Sequence, residues 1–124
     1  MKVAIITGAR GVTLEADTMA LLRAAIGWAG FVILGDCPTG VDAAALKEVV
    51  YGDVPHTVCV ADWGKYGGRA GPIRNGEMIV RALDRCLGRA EVRCFAFPSK
   101  SSRGTWDCLK QAATAGMRGH VYPV

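Results

Sequence analysis

The chain has 124 residues, of which 51% are hydrophobic and 21% charged, and fifteen Lys and Arg against eleven Asp and Glu give a net charge of +4. This is the length of one domain, spanning 1–124, that buries roughly two thirds of the surface its unfolded chain exposes, and the composition argues against a disordered tail or a fibrous repeat. The basic surplus permits an anionic partner without requiring one, and with no basic run interleaved with aromatics a nucleic-acid groove is not expected.

Five cysteines, Cys37, Cys59, Cys86, Cys94 and Cys108, form an odd set with no CxxC pair and no His at ligand spacing, so neither a disulfide framework nor a zinc or other metal site is expected. No signal-peptide region opens the sequence, and no apolar span approaches twenty residues. The expectation is a cytoplasmic protein with reduced thiols, no membrane segment and no bound cofactor.

In chain order, residues 2–7 form a β-branched strand that leaves through the turn Gly8-Ala9-Arg10-Gly11. Apolar positions over 14–28 recur on one side of a helix, with Thr13 as N-cap and Gly30 as stop. Residues 31–34 are a second strand, and Thr39-x-x-Asp42 has the form of a capping box opening a helix that runs to about Tyr51. A third strand lies within 56–61. The glycine-rich loop 62–71 delivers Pro72 to the first turn of a helix ending near Leu87, a position where the missing N–H costs nothing. After Gly88 come a fourth strand over 91–97, a helix over 105–115 and a short strand over 119–122.

Five nearly continuous apolar strands alternating with four helices specify an α/β, Rossmann-like three-layer sandwich around a parallel sheet. Ligands of such sheets bind beyond the carboxyl ends of the strands, where strand order reverses. The βα loops at that end, 8–11, 35–40, 62–71 and 99–104, carry Arg10, Arg69, Arg74, Lys100 and Arg103. Backbone N–H groups at helix starts and guanidinium forks suit a phosphorylated small molecule. Neither GxGxxG nor GxxxxGK[ST] is present, which disfavours ordinary NAD oxidoreductases and P-loop ATPases.

The strings Gly8-Ala9-Arg10, GDCPTGVD at 35–42, Ala61-Asp62-Trp63, Tyr66-Gly67, Ala70-Gly71-Pro72-Ile73-Arg74-Asn75, Phe97-Pro98 and Gly104-Thr105 occur in order over nearly the whole chain. Together they resemble the YpsA-related branch of the SLOG superfamily, which also includes the LOG cytokinin-activating hydrolases and the Smf/DprA proteins. The resemblance implies strand order 3-2-1-4-5 and a site for a nucleotide or nucleotide-derived ligand. It implies that Gly104 and Thr105 hold phosphate with Ser101 and Ser102 nearby, that Gly8 and Arg10 belong to the rim, and that Gly35, Thr39, Gly40 and Asp42 form a second wall. Asp42 is then either a ribose acceptor or only a helix cap. Trp63 and Tyr66 either stack on a base or pack as a lid on their own turns. Cys37 reads as a small filler residue.

Arg74 and Asn75 resemble the motif whose arginine assists N-glycosidic cleavage in the LOG hydrolases. Those hydrolases carry a catalytic glutamate three residues after the threonine of the glycine-threonine turn, and Cys108 stands there in this chain. Asp107 lies one residue early, about 100° away around a helix. The first expectation is therefore a sensor or sequestering module. The second is a phosphoribohydrolase-type N-glycosidase using Arg74 with a relocated carboxylate, Asp42 foremost and Asp36 or Asp62 otherwise. The third, resting on Smf/DprA, is nucleic-acid binding. The resemblance and the small size of the domain also imply a homodimer or higher homo-oligomer, with the helix over 72–87 as candidate interface.

Overall fold

A computed structural model describes residues 1–86 and 91–124. Five parallel strands form one sheet in the order β3-β2-β1-β4-β5: β1 (Val3–Gly8), β2 (Phe31–Gly35), β3 (His56–Cys59), β4 (Val92–Phe97) and β5 (Arg118–Val121). Helices α1 (Ala16–Trp28), α2 (Gly40–Tyr51), α3 (Trp63–Tyr66), α4 (Ala70–Arg85) and α5 (Arg103–Thr114) connect them, with a 3-10 turn at Gly67–Arg69. The sheet order and the alternation follow the expectation. Among the described residues no helix is long and apolar enough to cross a membrane.

Alternation along the strands builds two cores. Val3, Ile5, Phe31, Ile33, Val92 and Cys94 face α4 and α5, where they meet Met78, Ile79, Ala82, Cys108 and Ala112. Ala4, Ile6, Val32, Leu34, Phe95 and Phe97 face the opposite side, where Leu22, Ala25 and Ile26 of α1 and Val41, Ala45 and Val49 of α2 cover them. A side-chain period of two splits each apolar strand between two helical layers, which is why these strands read as continuous apolar runs. Burial at this density makes truncation costly; Phe97→Ala is worth about 3–5 kcal/mol.

Local boundaries differ from the expectation where tertiary partners decide them. The first helix begins at Ala16 with Glu15 as N-cap, not after Thr13. Thr39 is the N-cap of α2, but its hydroxyl is spent on the Gly11 N–H at 3.0 Å, and the Asp42 carboxylate accepts from the Cys37 N–H at 3.3 Å, so no reciprocal capping box forms. The stretch over 62–71 is largely helical: Asp62 caps α3 by accepting from the Lys65 N–H at 3.0 Å, and the 3-10 turn feeds α4 at Ala70. The last helix starts at Arg103, and β5 starts at Arg118, one residue before the expected start at 119. The expected helix end near Leu87 and the turn at Gly88 lie outside the described residues.

Candidate functional site

The chain proceeds from β1 outward to β2 and β3, then returns to lay β4 on the other side of β1. The carboxyl ends of β1 and β4 therefore diverge into loops that run in opposite directions, leaving a crevice between them. There Ala9 donates its N–H to the Phe97 carbonyl at 2.9 Å and accepts from the Val41 N–H at 3.0 Å, locking three βα loops together. Gly40, at φ +72°, makes this possible, because a Cβ there would collide with the Ala9 carbonyl.

A cleft of about 580 Å³ opens at this junction. One wall is Thr7, Gly8, Ala9 and Arg10 after β1, with Cys37 and Asp42 from the second loop; the opposite wall is Ser99, Ser101, Ser102, Arg103, Gly104, Thr105 and Asp107. Trp63, Gly68, Gly71, Pro72 and Arg74 close the third side. Of the expected ligand contacts, Gly8, Arg10, Asp42, Trp63, Arg74, Ser101, Ser102, Gly104 and Thr105 meet here. Arg69 and Lys100 of the expected basic rim stay outside it.

Gly35, Thr39, Gly40, Tyr66 and Asn75 do not line the cleft, and all but Tyr66 support residues that do. A Cβ on Gly35 would stand 2.5 Å from Arg74 Nη1 and 2.6 Å from Asp42 Oδ2, so the glycine makes room for both side chains. Tyr66 takes the Lys65 ammonium 5.1 Å over its ring instead. Trp63 does face the cleft, with the Arg10 guanidinium 5.4 Å from its ring centroid.

Beneath the cleft a hydrogen-bonded chain crosses from α4 to α5. Asn75, 1% exposed, accepts from Arg74 Nε at 3.2 Å and donates from Nδ2 to the Gly104 carbonyl and to Asp107 Oδ2, both at 3.0 Å. Gln111 Nε2 also donates to Asp107 Oδ2, at 2.8 Å. At the other end Arg74 Nη1 donates to Asp36 Oδ1 at 2.8 Å, and Asp36 accepts from the Ala61 N–H at 3.3 Å. Arg74 is 10% exposed in its side chain, and among the described residues its Nη2 has no oxygen partner. Two of its nitrogens are fixed by the protein while the third is free for a ligand.

The N-terminus of α5 is arranged similarly. Ser102 is its N-cap, yet the Ser102 hydroxyl accepts from the Ser99 N–H at 2.8 Å and pairs with the Ser99 hydroxyl at 2.9 Å, bracing the loop rather than capping the helix. Among the described residues the Gly104 and Thr105 N–H groups find no acceptor. Such groups at a helix start, with the positive dipole end behind them, are suited to an anion.

Two carboxylates face the cleft. Asp42 is 7% exposed, and burial pushes its pKa from 3.8 to about 6, with the nearby Arg74 charge holding it down against that rise. The sequence sets Cys108 at the position of the hydrolase glutamate and Asp107 one residue before it. Cys108 is fully buried among Val92, Cys94 and Ala112, and Asp107, one residue earlier, turns to the cleft. Anchoring the helix on Thr105, Cys108 and Ala112 as one buried face would have shown this, since position 107 then falls toward α4 and Asn75.

No family model matches this chain, and no solved structure matches it. The chain is similar to the Gene 61 protein of Mycobacterium phage D29, with 40% identity over 57 residues, 46% of this chain and 39% of that protein. The match thus spans about two fifths of the relative's length.

Proposed function

We propose that this chain binds a nucleotide or nucleotide-derived ligand in the cleft between β1 and β4, as a sensor or sequestering module of SLOG type. The observation that carries the reading is the convergence of the acceptor-free Gly104 and Thr105 N–H groups with Arg10, Arg74 and Arg103 around one cleft at the switch point. In this reading the phosphate sits on the start of α5, Arg74 Nη2 reaches it from α4, and Trp63 with Arg10 bounds a flat base. The ordered string of motifs shared with the SLOG superfamily supports the same assignment.

A thermal-shift screen against mononucleotides, cyclic dinucleotides and ADP-ribose derivatives, with each hit recovered by chromatography, tests it. Binders are expected to raise the melting temperature of the wild type and to lose that effect on Arg10→Ala and Arg74→Lys. An absence of any shift with phosphorylated ligands would remove the reading.

One observation favours a second reading, the phosphoribohydrolase. Asp107 Oδ2 is held by Asn75 and Gln111, and among the described residues Oδ1 has no partner, so a carboxylate faces the cleft beside the proposed phosphate site. It supplies the group that Cys108 does not, for proton transfer or charge stabilisation at a glycosidic carbon. Recovery of free base and ribose phosphate from a hit, abolished by Asp107→Asn, is the expected result; intact ligand returned after prolonged incubation would leave only the binding module.

A further inference from the structure

The sequence contains no basic-aromatic run, but the fold assembles one across two strands. Registered pairing sets Arg93 beside Arg118 and Phe95 beside His120. Gly119 points to the α5 side, where a Cβ would meet Leu109 at 2.7 Å, so Arg118 and His120 point to the other. On that side α1 and α2 lie over β1 and β2, α1 touches β4 through its last residue, Trp28, and no described helix packs across β5.

On this face Phe95 and His120 stack at 4.8 Å with 11° between planes, and Tyr122 follows His120 at 6.3 Å with 20°. Arg93 lies 4.5 Å and Lys2 5.7 Å from the Trp28 ring centroid. Among the described residues Lys2, Arg93 and Arg118 enter no ion pair. Burial lowers the His120 pKa, and the charged groups acting on it, Arg93 and Arg118, are both positive and lower it further. Its Nε2 is buried without a partner among the described residues.

Charge decides the kind of occupant. A second copy on a two-fold axis would bring these cations against themselves, so the partner is anionic. Apolarity decides it further: Phe95 and Phe97 are already sealed, 5% and 0% exposed. No apolar groove is left for an amphipathic helix. What is left open is the half-buried rings of His120 and Tyr122, edged by guanidinium and ammonium groups, the combination that holds an unpaired strand by stacking and phosphate contact. We propose that the β4–β5 face, with Arg93, Arg118, His120 and Tyr122, binds single-stranded nucleic acid without reading its sequence, separately from the cleft.

The test is fluorescence anisotropy of a labelled oligothymidylate of about 20 nucleotides on the full chain, with salt raised from about 50 to about 200 mM. Binding is expected, with log affinity falling linearly in log salt. Arg118→Glu, at an exposed position, and Tyr122→Ala should each weaken it about tenfold, and losing the Arg93 and Arg118 contacts together should reduce the salt slope by about 1.4. In NMR the His120 ring should titrate at higher pH once the oligonucleotide is bound. No binding at the lower salt, unchanged affinity of Arg118→Glu, or equal affinity for a duplex of that length would each overturn the proposal. So would the same loss on Arg74→Lys, which would put the strand in the cleft, or tighter binding of polyglutamate, which would make this face a dock for acidic protein.

Discussion

Asp42 is the side chain whose ionisation couples the cleft to the stability of the chain. Its native pKa of about 6 lies above the ordinary 3.8, so between those values the native state holds a proton that the unfolded state has released. Stability from this group is fully present below about pH 4 and is lost as pH rises through 6, by about 3 kcal/mol for a rise of two pH units. Asp42→Asn keeps the shape without the charge. Urea midpoints at about pH 3 and pH 7.5 should show the variant more stable than wild type at the higher pH and indistinguishable at the lower, which lies below both pKa values; an equal difference at both would mean that the burial of this carboxylate carries no such cost. At this scale the sequence was legible where one residue type has one job. Gly8, Gly104 and Thr105 all line the cleft, and at Gly8 a Cβ would run into the Val41 side chain. The motif points Asn75 at a ligand, whereas two of its three hydrogen bonds join α4 to α5 beneath the cleft and the third holds Arg74. Nothing in a linear string distinguishes a polar group that faces a ligand from one that holds its neighbours.

Helices are decided less by their own residues than by what their ends touch. The capping-box pattern at Thr39 and Asp42 found the start of α2, yet both side chains serve other loops, since Gly11 and Cys37 offer N–H groups closer to hand. The glycines over 62–71 read as loop because each weakens helix propensity, and it is the Asp62 cap together with the packing of Trp63 on Gly71 that overrides this. Helix α4 bears on the homodimer, which remains a proposal. On it Arg81 pairs with Glu77 at 2.9 Å, while Ile73 and Val80, seven residues apart on one stripe, are 43% and 57% exposed. Trp106 on the adjoining α5 is 49% exposed. An isologous pairing through these residues gives them a common cover. Light scattering at micromolar concentration should give twice the chain mass for wild type and the single-chain mass for Ile73→Asp combined with Val80→Asp, with unaltered circular dichroism. A wild-type monomer would end the dimer proposal.

Across the whole molecule, the parallel α/β architecture was the most legible property, because apolar strands alternating with helices specify it, while the strand order came from the resemblance and not from the pattern. The aromatic and basic face of β4 and β5 was the least, because register between strands, not spacing along the chain, assembles it. The same topology makes the cleft a joint between two parts of the molecule: one wall comes from the β1-to-α4 half and the other from the 99–107 stretch beyond β4. A ligand on α5 alone would touch only the second wall, whereas a ligand that also meets Arg10 and Arg74 ties both. At one hundred times its dissociation constant a ligand adds about 2.7 kcal/mol, which for a domain of this size raises the melting temperature by about 10 °C. Hydrogen exchange then separates the two geometries. With a bound mononucleotide, amides over 8–11 and 37–42 should gain protection together with those over 101–105, and Arg10→Ala should remove the gain on the first wall and most of the thermal shift. Protection confined to 101–105, unaltered in Arg10→Ala, would mean that the start of α5 binds phosphate by itself and that the opposite wall has no part in recognition.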